Sequence, residues 1–129
     1  MEKKVHILLV DDDEIIRRFF GSKLAAAGYE VIYGEDGNEG REMARRFQPD
    51  LVLMDINMPV MDGIKASSMM KDEKETSNIP IIFLSNEDLS IEEEKVIKEL
   101  GVSGCIQKGV EPEELIDYVK KALANLAEK

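Results

Sequence analysis

Five short apolar runs, each followed by a stretch of helical periodicity, constrain this chain more than any other feature. The runs are Val5 to Val10, Glu30 to Tyr33, Leu51 to Met54, Pro80 to Leu84 and Gly104 to Gln107. Strands separated by helices return to the same end of a sheet, so the alternation predicts a parallel α/β fold, not a set of hairpins. After the first run, Ile15, Ile16, Phe19, Phe20, Leu24 and Ala27 share one helical face, with Gly28 placed as a left-handed terminator. Asp36 and Glu39 resemble a capping box for a second helix that carries Gly40, Met43, Ala44 and Phe47 on one face and stops at Pro49. Pro59 and Gly63 mark a loop before a short third helix of weak periodicity. Ser90 with Glu93 caps a fourth helix running to Leu100, and Gly101 lies beyond it. Pro112 opens the last helix, whose stripe is Leu115, Ile116, Val119, Ala122, Leu123 and Leu126.

The totals narrow the class. With 129 residues, 43% of them hydrophobic, a single domain spanning 1–129 is expected, with no repeat, linker or output domain in the chain. A net charge of −10 opposes general attraction to nucleic acid or anionic membrane. Cys105 is the only cysteine, so no internal disulfide can form, and the chain fits a reducing interior. "MEKKVH" lacks the apolar core of a signal peptide, and no run is long enough to span a bilayer. A cytoplasmic protein without membrane insertion is the expectation.

Ligand sites in open parallel sheets lie beyond the carboxyl ends of the strands, and here those ends are polar. Asp11 and Asp12 follow strand one, Asp55 strand three, Ser85 strand four and Lys108 strand five. In the flavodoxin-like strand order 2-1-3-4-5, strand one neighbours strand three at a spacing of about 4.8 Å, which places Asp55 between the two acids and the Ser85–Lys108 side. Two like charges 4 Å apart repel by about 4 kcal/mol at an effective dielectric near 20. The cluster therefore requires a cation. Mg²⁺ suits it, with Mn²⁺ as a possible substitute, because a hard divalent ion takes one or two carboxylates and keeps several waters. Lys108 supplies a second positive charge. A carboxylate between two cations has a low pKa and makes a poor general base, but it is placed to attack a phosphoryl group. Ser85 offers a hydroxyl to the transferred oxygens.

At these residues the chain resembles the receiver domain of two-component response regulators, the CheY-like phospho-acceptor. The motifs are "LLVDDDE", "LVLMDINMPVMDG", "IPIIFLSNED" and "GCIQKG", and the likeness covers essentially the whole chain. It implies a (βα)5 doubly wound sheet and a phospho-acceptor at Asp55, served by a histidine kinase or a histidine phosphotransfer protein. It also implies Mg²⁺ held directly by Asp12 and Asp55, through water by Asp11, and by the backbone carbonyl of Asn57. Ser85 and Lys108 would meet the phosphoryl group. Asn57 and Glu87, two places after the acceptor and the hydroxyl, would tune self-dephosphorylation. Asn86 is larger than the Ala or Gly usual after the hydroxyl, so the lifetime stays open. The signal would pass through the β4–α4 loop and the α4–β5–α5 face to an unnamed protein target, from a monomer or a phosphorylation-dependent dimer.

Two residues depart from the family pattern. Gly109 stands where proline usually follows the lysine, so this bond is expected trans with Lys108 still in reach. Cys105 replaces a Tyr or Phe whose rotation often reports phosphorylation. Plainer roles suit several other residues: Asp13 as the N-cap of helix one, His6 as an ordinary strand residue, Cys105 as a small buried thiol. Two competing functions remain. "VDDDEI" also reads as the acid-x-acid motif of a haloacid-dehalogenase-like Mg²⁺ phosphohydrolase, although Ile15 and the short chain count against that. A degenerate receiver that binds partners without phosphate is the other. The leading expectation is a switch with only self-catalysed phosphotransfer and autodephosphorylation, not a turnover enzyme.

Overall fold

The computed structural model describes residues 4–86 and 89–127, with 126 and 127 described by backbone alone. Its elements alternate without exception: β1 (His6–Val10), α1 (Glu14–Ala26), β2 (Glu30–Gly34), α2 (Gly37–Phe47), β3 (Leu51–Asp55), α3 (Gly63–Asp72), β4 (Ile81–Ser85), α4 (Ile91–Leu100), β5 (Gly104–Gln107) and α5 (Pro112–Ala127). The strands form one parallel sheet in the order β2-β1-β3-β4-β5, the flavodoxin-like arrangement expected from the sequence. β4 starts one residue later than its apolar run. Pro80 has no N–H for the ladder, yet its carbonyl still accepts the Val52 N–H at 3.0 Å.

Strand alternation divides the core into two layers. Leu8, Val10, Val52, Met54, Ile81 and Phe83 point to one side and pack with Ala44 of α2, Ala66 and Met70 of α3 and Ile97 of α4. Ile7, Leu9, Leu51, Leu53, Ile82, Leu84 and Ile106 point to the other, against Phe20 and Leu24 of α1 and Leu115 and Val119 of α5. β1, β3 and β4 are thus apolar on both faces, which is why the sequence shows them as continuous runs.

The caps follow the sequence closely, with one change. Asp13 is the N-cap of α1 and accepts the Ile15 N–H at 2.8 Å. Ser90 and Glu93 form the reciprocal capping box of α4. At α2, Asp36 caps the Glu39 N–H, but the Glu39 carboxylate accepts the Glu35 N–H instead of closing the box on Asp36. The expected apolar face of α1 is also narrower than its periodicity suggests. Phe20 and Leu24 are buried, whereas Ile15 is 75% and Phe19 44% exposed, because α1 packs on its side toward β1, β2 and α5. Phe47 at the end of α2 is likewise exposed, with the Arg46 guanidinium over its ring. The α5 stripe packs as expected from Leu115 to Leu123; the Leu126 side chain lies outside the described residues.

Close backbone approach brings α3 against the end of β3. A Cβ on Gly63 would stand 2.0 Å from the Asp55 carbonyl oxygen, and the Gly63 N–H donates to the Ile56 carbonyl at 2.8 Å. Only glycine fits this contact without moving one of the two backbones. Gly63→Ala is therefore expected to destabilise the fold by about 1–3 kcal/mol, the usual cost of overpacking a tight contact, as measured by urea denaturation.

Candidate functional site at the strand ends

The ladder places the acids side by side. Val10 pairs with Met54, so Asp11 and Asp55 leave neighbouring strands at the same level. Asp55 pairs with Leu84 and Ser85 with Gln107, and the Lys108 N–H donates to the Ser85 carbonyl at 2.8 Å. That last bond continues the β4–β5 ladder and holds Lys108 to the end of β4. Lys108 follows a trans bond pattern into Gly109, since no cis peptide occurs among the described residues.

The Lys108 ammonium lies between two buried carboxylates, 2.8 Å from Asp11 Oδ2 and 3.2 Å from Asp55 Oδ1. Its side chain is 6% exposed; those of Asp11 and Asp55 are 0% and 2%. Asp11 Oδ1 also accepts the Asp13 N–H at 2.9 Å. The buried Oδ2 atoms of Asp11 and Asp55 have no hydrogen-bond partner among the described residues, Asp11 Oδ2 meeting only the Lys108 ammonium as an ion pair. Asp12 is exposed, and carboxylate oxygens of Asp11, Asp12 and Asp55 lie within 4.8 Å of one another.

Three acids therefore surround one fixed cation, and the imbalance falls on Asp55. Burial and then the charge of Asp11 push its carboxyl up to about 6, against the opposing pull of Lys108. The low pKa expected from the sequence belongs to the site with a divalent ion beside Lys108; the raised value belongs to the site with Lys108 alone. Lys108 alone does not outweigh desolvation and the neighbouring acid. For Lys108, burial opposes the charged form, but the hydrogen bond from its ammonium to Asp11 and the charges of Asp11 and Asp55 raise its pKa above the ordinary value.

The donor set fits a hard divalent ion. It combines an orphaned buried carboxylate oxygen on Asp55, an exposed carboxylate on Asp12 and uncompensated negative charge.

The remaining sequence candidates surround this cluster. Ser85 is buried at the end of β4. Asn86, next to it, is exposed. Asn57 is exposed at a cleft of about 460 Å³ that runs between α3 and α4 past Ile56, Ile64 and Glu93. Glu87 lies outside the described residues. Cys105 is half-buried against the α2–α4 side of the core, its thiol pKa raised by burial and then by the charge of Glu93, which fits the plain packing role. His6 is exposed, with its backbone N–H bonded to Asp50.

Sequence reasoning missed Arg17. Its Nη1 donates to the Asp11 backbone carbonyl at 2.6 Å, from the first turns of α1. The only signal was an arginine six residues after the first acid, on a helix expected to begin beside it.

Residues 7–120 match the response regulator receiver domain family. The chain belongs to that family. The polar-differentiation response regulator DivK of Brucella ovis is 31% identical over 119 residues, covering 92% of this receiver and 96% of its own length. Chemotaxis protein CheY4 of Vibrio cholerae superposes with a TM-score of 0.87 at 31% identity, over 93% of this chain and 99% of that one. The receiver domain of a Pseudomonas aeruginosa PAO1 sensor histidine kinase, solved with a magnesium ion coordinated in its active site cleft, superposes at 0.85 with 26% identity, over 95% and 99%. Among the described residues of this receiver, no helix is long and apolar enough to cross a membrane.

A raised Asp55 pKa has a stability signature. Above pH 4 the unfolded carboxyl ionises while the folded one resists, so stability of the metal-free protein falls as pH rises from about 4 through about 6 and then levels. In chelator at pH 7, Asp55→Asn is expected to stabilise the fold by about 1–2 kcal/mol after allowance for solvent screening, and to flatten the pH 4–6 slope. Urea denaturation across that pH range measures both.

Proposed function

We propose that this receiver is a phospho-accepting switch. Asp55 takes a phosphoryl group from a phosphohistidine on a histidine kinase or phosphotransfer protein, in a reaction that requires Mg²⁺ or Mn²⁺. The observation that carries this reading is Asp55 Oδ2, a buried carboxylate oxygen without a partner beside two further acids and one lysine. In the transfer, that carboxylate attacks phosphorus, an O–P bond forms and the P–N bond to the donor imidazole breaks. The donor ring, already protonated on its other nitrogen, keeps the P–N electron pair and leaves as neutral imidazole.

Asp12, Asp55 and the Asn57 carbonyl would hold the ion, with Asp11 acting through water. Both Asp11 oxygens already have partners, Lys108 and the Asp13 N–H, which supports that division. When bound, the metal balances charge on the phosphoryl oxygens. Lys108 already touches Asp55 and is placed to pair with the phosphoryl group. Ser85, at the end of the neighbouring strand β4, would bring its hydroxyl to the same group.

Phosphorylation adds roughly −1.5 to −2 charge in a site that disfavours charge. A coupling of about 1–3 kcal/mol would shift an existing equilibrium of the β4–α4 loop and the α4–β5–α5 face toward a partner-binding state. With Cys105 in place of an aromatic ring, the change must run through that loop and helix. The protein acts by its state and not by turnover of a substrate.

The phosphohydrolase reading needs Asp11 as nucleophile. Its full burial and two occupied oxygens argue for a charge-holding role.

Incubation with Mg²⁺ and acetyl phosphate is expected to give a phosphate-sized adduct by intact mass, and beryllofluoride to shift amide resonances around Asp55. Asp55→Asn should lose the adduct, and chelation should suppress it at least tenfold. An equal adduct in Asp55→Asn overturns the acceptor assignment. Turnover of a small phosphate ester that Asp11→Asn abolishes and Asp55→Asn spares would establish the phosphohydrolase instead.

A further inference from the structure

Arg17 holds the backbone carbonyl that links Asp11 to Asp12. Its guanidinium donates to the Asp11 carbonyl at 2.6 Å and reaches Glu35 Oε1 at 3.5 Å, just past the end of β2. The side chain is 14% exposed, against 80% for its neighbour Arg18. The Arg17 N–H closes the first turn of α1 on the Asp13 carbonyl at 3.0 Å, so the donor is fixed to the helix whose cap immediately follows the acids.

The Asp11 carbonyl belongs to the peptide that leads into Asp12. The Asp11 N–H, on its other side, donates to the Gly34 carbonyl at 3.1 Å and holds that residue to β2. Asp11's carboxylate is further fixed by Lys108 and the Asp13 N–H. Asp12 is exposed, and its position is set by the backbone that carries it. A short, charge-assisted bond to the carbonyl just before it fixes the plane of the 11–12 peptide, and with it the direction of Asp12. The same guanidinium puts permanent positive charge one peptide away from three clustered carboxylates without contacting any of them.

We propose that Arg17 is a positioning residue for the divalent cation: it orients Asp12 through the Asp11 carbonyl and so sets how tightly the acid cluster binds Mg²⁺. The role rests on the metal site proposed above and deepens it. A merely structural role, in which Arg17 ties α1 to β2 through Glu35, makes a different demand, because removing Glu35 would then be as harmful as removing Arg17.

The test is Mg²⁺ titration of the unphosphorylated protein, followed by calorimetry and by amide shifts of Asp12; the chain has no tryptophan to report binding by fluorescence. Arg17→Ala is expected to weaken Mg²⁺ binding about tenfold. Arg17→Lys, which keeps the charge and one donor, should recover to within about threefold of wild type. Glu35→Ala should leave the affinity unchanged. Rates of acetyl phosphate labelling should fall in Arg17→Ala at low Mg²⁺ and return to the wild-type value at saturating Mg²⁺. Where Arg17→Ala does not fold, Arg17→Met, which keeps the apolar stem and removes the donor, takes its place with the same expected loss. Wild-type affinity in Arg17→Ala or Arg17→Met overturns the proposal, as does equal weakening by Glu35→Ala. Absence of Mg²⁺ binding in wild type instead overturns the metal site itself.

Discussion

The ammonium of Lys108 between the carboxylates of Asp11 and Asp55 is the contact that the rest of the molecule is arranged to allow. Charges this deeply buried are expensive unless each meets its opposite at close range. The three residues come from β1, β3 and the end of β5, so the pairing exists only when the sheet has the order β2-β1-β3-β4-β5 and β5 ends beside Ser85. The layered apolar core supplies that order. In return, the triad fills the one place where the central strands run out of hydrophobic side chains.

One lysine cannot neutralise three acids, and the remainder defines the chemistry. Asp11 is held by Lys108 and the Asp13 N–H, Asp12 faces solvent, and Asp55 keeps a buried Oδ2 with no hydrogen-bond partner among the described residues. A group left in that condition is either a defect or a place for something that arrives. The function proposed for this receiver takes the second reading, with a divalent ion and then a phosphoryl group as the arrivals.

Much of this was readable from the chain alone, for identifiable reasons. Continuous apolar strands, helix caps at Asp13 and Ser90, and polar residues at strand ends are local signals, and each local choice agrees with the global fold. What stayed hidden is non-local. Ile15 and Phe19 fit the helical stripe but are left exposed, because exposure depends on which neighbours α1 happens to have. The raised pKa of Asp55 is a balance among three side chains at specific distances. Arg17 acts through a backbone carbonyl, and no pattern of side chains announces such a contact. The glycine after Lys108 and the cysteine at position 105 were visible as departures; the structure accommodates both, with the lysine in reach and the thiol packed in the core.

The same sheet has a kinetic consequence. His6 at the start of β1 bonds to Asp50, 44 residues away, beside β3, and every pairing in the sheet is parallel. Each must close a long loop before it gains anything, and pairings of that kind form late and cooperatively. Asp11 and Asp55 therefore meet only as the central strands come together, and Lys108 joins when β5 does. The three acids all lie within residues 11–55, but the lysine that pairs with two of them lies beyond β5. In a chain still emerging from the ribosome, the acids stay without their fixed cation until the last strand is in place.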